Sequence, residues 1–166
     1  MGDVMAELTM LEDKLGEVLG LAQAAQTATE KVSKLVEDEQ LGKDLQRTHD
    51  EAAQVEERCV ALADGLDGKK TAIVEKARET KQEAVEMMRT YLGEDAEALD
   101  GFEFLTMTEA GEVGHWSIVA TMNAKVGNAQ LQELVDFALP LERTHFDRAM
   151  QGSLKLAGEE DPNQPA

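Results

Sequence analysis

Residues 129–156 read AQLQELVDFALPLERTHFDRAMQGSLKL, and the spacing inside this stretch decides the fold. Leu131, Val135, Ala138, Glu142, His145 and Ala149 recur at steps of three and four, which places them on one face of a helix. The stripe is apolar except for a carboxylate and an imidazole one turn apart. Polar groups on a core face are costly unless something satisfies them, so Glu142 and His145 need a partner.

The preceding pair Gly127-Asn128 reads as a tight turn, and the segment before it, Phe102 to Val126, repeats the pattern with Leu105, Glu109, Glu112, Trp116 and Val119. Glu112 lies fifteen residues before Gly127 and Glu142 fifteen after it, so the two carboxylates come out level on this hairpin. Further upstream, residues 69–92 carry Ile73, Ala77, Val85, Met88 and Leu92 among many charges and stop at Gly93, which reads as a connecting surface helix. Residues 34–63 place Leu41, Leu45, His49, Ala52, Val55, Cys59 and Leu62 on one stripe and end at Asp64-Gly65 and Asp67-Gly68. A first helix is expected from Asp3 to Val32 on Val4, Leu8, Leu11, Leu15, Val18, Ala22, Ala25, Thr29 and Val32. Proline occurs only at positions 140, 162 and 165, and no run alternates in the manner of a strand. The expected architecture is all-α, one domain over residues 1–157, with a disordered acidic tail at 158–166.

A weak internal repeat supplies the boundary between the first two helices. Gly16-Glu17-Val18, Lys31-Val32-Ser33 and Leu45-Gln46-Arg47-Thr48-His49 recur as Gly111-Glu112-Val113, Lys125-Val126-Gly127 and Leu141-Glu142-Arg143-Thr144-His145. Matching Ser33 to Gly127 ends the first helix near Val32 and makes Glu17 level with His49. Two helical hairpins joined by a long connection form a four-helix bundle with one crossover. Gly111 and Gly114 around Glu112, and Pro140 before Glu142, weaken their helices locally; close helix approach and a kink account for them as well as a functional role does.

The chain has 166 residues and a formal charge of -18, a field that disfavours nucleic acid and anionic membrane and draws in cations. Acidic solvated helix faces also serve solubility alone. Cys59 is the only cysteine, so neither an intramolecular disulfide nor a thiolate metal cluster is expected, and its acidic neighbours make it packing rather than a nucleophile. With no signal-like start and no long apolar run, a cytoplasmic location is expected. The eight methionines read as core filler, and no phosphate loop or hydrolase triad is present.

A carboxylate from the first and third helices with a Glu-x-x-His step from the second and fourth resembles the ligand pattern of the ferritin-like superfamily, the carboxylate-bridged di-iron four-helix bundles. Carried over by position, the resemblance implies Glu17, His49, Glu112, Glu142 and His145 as ligands. Gln46 stands where the family has Glu, with Glu109 as a substitute carboxylate and His115 as an additional histidine. The implied cofactor is iron, with manganese or zinc as alternatives, and the implied role is ferroxidase, iron storage or stress-related. Two other readings stay open: a single zinc ion on Glu112, His115, Glu142 and His145, and a metal-free structural or interaction bundle. A homo-oligomer is also left open, because Met5, Leu8 and Met10 expose apolar surface at the chain's start.

Overall fold

A computed structural model of the chain describes residues 4–166 and contains five helices: α1 Met10–Ser33, α2 Glu39–Asp64, α3 Lys70–Tyr91, α4 Ala98–Val126 and α5 Ala129–Glu159. Among the described residues there is no strand. Helices α1, α2 and α5 begin where a side chain satisfies a first-turn backbone donor. The Thr9 hydroxyl accepts from the Glu12 N–H while the Glu12 carboxylate accepts from the Thr9 N–H. Asp38 and Asn128 accept from Leu41 and Leu131 in the same way. Gly127 closes α4 in the left-handed region at φ +73°, and Asn128 opens α5 at once.

Several boundaries differ from the expected ones, and α4 starts at Ala98, four residues before Phe102. The expected start at Asp3 lies outside the described residues, and residues 4–9 carry no helix although Val4 and Leu8 continue the apolar period. The capping pair at Thr9 and Glu12 outweighs that weak continuation. The first hairpin does not turn tightly at Ser33; residues 34–38 form a connector and α2 starts only at Glu39. At the other end, α5 runs through to Glu159.

Helices α1 and α2 pair as one hairpin and α4 and α5 as another, and α1 on α4 and α2 on α5 close the four-helix arrangement. Helix α3 is no mere surface connection. It lies along α1 in the same direction, with Gly16 against Ile73 and Lys76 and Gly20 against Ala77 and Thr80, and Ile73 and Ala77 are fully buried. A Cβ at Gly16 would come 2.7 Å from the Lys76 side chain, so the approach depends on glycine. Gly152 similarly seats the Phe102 ring. At Gly111 and Gly114, by contrast, an added Cβ would meet nothing within 4 Å, so no close approach explains those two glycines.

The apolar core falls into two clusters. Leu15, Leu19, Val55, Leu62, Trp116 and Val135 pack toward one end; Val32, Leu41, Leu45, Phe102, Leu105 and Ala149 pack toward the other. In α4 the break between them falls at Glu109 and Glu112, and in α5 at Glu142 and His145. Polar groups therefore occupy the middle of the bundle.

The two kinds of glycine separate in a denaturation experiment. Gly20→Ala forces α3 away from α1 and lowers unfolding stability by about 1–3 kcal/mol in urea. Gly114→Ala, at an open helical position, raises it by about 0.5–1 kcal/mol.

Candidate functional site

Helix α4 contributes Glu109 and Glu112, one turn apart on the inward stripe, and α5 contributes Glu142 and His145 from the facing one. All four are buried. One ligand atom from each of Glu109, Glu142 and His145 lies within 4.8 Å of the others. His145 Nδ1 is 3.4 Å from Glu142 Oε2 and 3.8 Å from Glu109 Oε2, while its Nε2 is 4.0 Å from Glu51 Oε2 of α2. Glu109 Oε2, both Glu142 oxygens and both His145 nitrogens have no hydrogen-bond partner. Five buried polar atoms around one point, all unsatisfied, require either bound protons or a bound cation.

The nearest fixed cation sits at the edge of this group. Arg148 Nη1 donates to Thr48 Oγ1 at 2.7 Å and to Glu51 Oε1 at 3.2 Å, so its charge is spent largely on Glu51. Burial, and then the Glu142 charge beside them, hold the Glu109 and Glu112 carboxyls well above the usual carboxylate range. The Glu109 charge adds to this for Glu112, while Arg148 pulls Glu109 the other way. A proton kept on either group would supply the donor that the Glu142 oxygens lack. The Cys59 thiol nearby is pushed up by burial, by Glu142 and by Glu56, so it serves packing and not nucleophilic chemistry.

Four of the eight residues expected from sequence are gathered here: Glu109, Glu112, Glu142 and His145. The other four are not. His49 and Gln46 face outward: His49 contacts Glu30 at 2.9 Å and Asp50 at 3.2 Å, and the Gln46 amide donates to Asp50 at 2.8 Å. The buried stripe of α2 runs Leu41, Leu45, Thr48, Ala52 and Val55, so the step homologous in sequence is rotated by one residue, about 100°, from the core. Glu17 is bound to Lys14 at 3.0 Å and lies beside Lys76. Because residues 34–38 lengthen the first turn, His49 sits opposite Glu30 and not opposite Glu17. His115 donates from Nδ1 to the Gly111 carbonyl at 2.8 Å, with Nε2 3.6 Å from Glu17. His115 is therefore not among the ligand atoms that lie close together.

Glu51 was not singled out from the sequence, because it borders the α2 stripe without lying on it. Its one signal is position, since it directly precedes Ala52 and follows Thr48 by three residues. From α1 the core at this height receives Ala22, Ala25 and Ala28, with no carboxylate. Among the described residues no helix is long and apolar enough to cross a membrane. Comparison with protein-family models and with curated proteins finds no match to this chain.

The raised carboxyls set a pH dependence. Each binds its proton more tightly folded than unfolded, where the ordinary value is 4.5, so their contribution is fully present below that value. It is lost as pH rises through the folded value. With chelator present, and with His145, Glu51 and Arg148 as the facing charged or titratable groups, the urea midpoint falls as pH rises above about 4.5. Glu142→Gln removes the second cause of the shift and leaves burial, so it reduces that slope without abolishing it and stabilises the chain at the alkaline end by on the order of 1 kcal/mol. A flat profile for the parent chain would refute the assignment.

Proposed function

We propose that the chain is a metal-binding, ferritin-like four-helix bundle that holds one divalent transition-metal ion on Glu109, Glu142 and His145. The observation that carries this reading is a set of five buried atoms without partners on three residues, each of which turns one ligand-type atom toward the other two. Ligand atoms at about 2.1 Å from one ion lie about 3–4 Å apart, and the separations of 3.4 and 3.8 Å around His145 Nδ1 suit that spacing. Two carboxylates and one imidazole suit iron, manganese or zinc. Glu51 and Glu112 lie beside the three and can orient them or complete the coordination.

The crossover order of the helices supports the ferritin-like part of the reading. A symmetric two-iron centre has less support, because α1 sends alanines where that family places a carboxylate and because Gln46 and His49 lie outside the cluster, engaged with Asp50 and Glu30. Bound iron would supply redox chemistry, and bound zinc Lewis acidity. The chain's own part is to hold the ion in a site closed to bulk water. The excess of acidic residues, -18 in formal charge, raises the local cation concentration around it.

Untagged protein incubated with Fe²⁺ without oxygen, or with Mn²⁺ or Zn²⁺, and then desalted should retain close to one ion per chain by mass spectrometry. His145→Ala and Glu142→Gln lose it, with affinity reduced at least about tenfold. Gln46→Ala and His49→Ala retain it, since both lie outside the cluster. An empty parent chain with all three metals would leave the buried group as protonated carboxyls and sink the proposal.

A further inference from the structure

Where α3 leaves its close contact with α1, a cavity of about 310 Å³ opens between α1, α3 and α4. Ala24 and Ala28 of α1, Val85 and Met88 of α3, and Phe104 and Met107 of α4 form its apolar walls. The cavity is hollow because the residues there are small: alanines on α1, and on α4 Gly111, whose missing side chain leaves open space. Its inner side is polar at one point. Glu112, only 3 % exposed, lines the cavity while its carboxyl lies next to Glu142. Met87 and Met107, 48 % and 41 % exposed, stand at the mouth.

The charge at that inner side is one-signed. Glu112 is the one acidic residue that lines the cavity, with Glu142 behind it; no lysine or arginine lines it, and His115 at its rim is turned to Gly111 and Glu17. Apolar walls ending on a buried carboxyl select for a molecule with an apolar body and a cationic end. An anionic head would meet the Glu142 charge behind Glu112 and no cation in the lining. A neutral alcohol hydrogen-bonds to the carboxyl but is too weak a base to take its proton, whereas an amine forms an ion pair with it. The volume admits roughly ten non-hydrogen atoms, the low end of small-molecule sites.

We propose that this cavity is a binding site for a small alkyl or arylalkyl amine, with its carbon body among the alanines and methionines and its ammonium group against Glu112. The site does not require the metal. Metal retention reads Glu142 and His145, whereas amine binding reads Glu112 and Gly111, so failure of one assignment leaves the other standing.

Titration calorimetry of the full chain with n-hexylamine, n-hexanol and hexanoate tests it. The amine should bind at least about tenfold more tightly than the alcohol, and hexanoate should not bind. Glu112→Gln should weaken the amine about tenfold and leave the alcohol unchanged. Gly111→Phe, which fills open space without touching the core, should abolish both while the helical circular dichroism is retained. The proposal is overturned if none of the three ligands binds, if amine and alcohol bind alike, or if both variants bind the amine as the parent does.

Discussion

Three carboxyls and an imidazole meet at mid-height in a bundle that offers them no full countercharge, and the rest of the structure is arranged around that fact. Arg148 is the one arginine at hand, and it is committed to Thr48 and Glu51 at the edge of the group. Moving an isolated carboxylate out of water costs many kcal/mol, so a packed core cannot leave three of them charged and unpaired. Proton uptake by Glu109 and Glu112 is the response of the chain by itself, and a divalent ion is the response of the proposed metal-bound form. Both remove net negative charge from the same place. The apolar clusters on either side supply the burial that the middle forgoes.

Most of the helical plan could be read from the period of three and four in α4 and α5 and from the Gly127-Asn128 pair, because turn chemistry and burial there agree. The start of α1 could not, since Val4 and Leu8 extend the period while the capping pair at Thr9 and Glu12 lies inside it. Nor could the role of α3. Its charged sequence reads as surface, yet Gly16 and Gly20 on α1 let it approach close enough to bury Ile73 and Ala77. Glycine in a helix carries no signal of the neighbour it admits.

Half of the site could be read and half could not, for one geometrical reason. In α5 the Glu142 to His145 step coincides with the buried stripe, and level placement about Gly127 sets Glu112 beside Glu142. In α2 the matching letters Gln46-Arg47-Thr48-His49 lie one residue out of phase with the stripe, where Leu45 and Thr48 face inward. Similarity of letters measured the repeat, whereas burial depends on phase. The five-residue connector after Ser33 then moved His49 away from Glu17 along the bundle. Neither effect changes composition or motif, so neither left a trace in the sequence that pattern reading weighs.

The unequal contribution of the helices links the two assignments made for this core. The close ligand-type atoms come from the α4–α5 hairpin alone, and α2 adds Glu51 at 4.0 Å from His145. Had α1 also sent a carboxylate inward, its bulk would occupy the side of Glu112 that now borders the cavity. Alanine at positions 24, 25 and 28 leaves that side hollow. Glu112 thus stands between two environments, with Glu142 toward the cluster and apolar walls toward the mouth. A carboxyl in that position feels charge introduced on either side, because in a medium of low polarity a proton, an ion or an ammonium group near one carboxyl alters the cost of charging the next. A cation bound in the cavity and a proton or ion bound in the cluster would therefore be coupled through Glu112, equally in both directions.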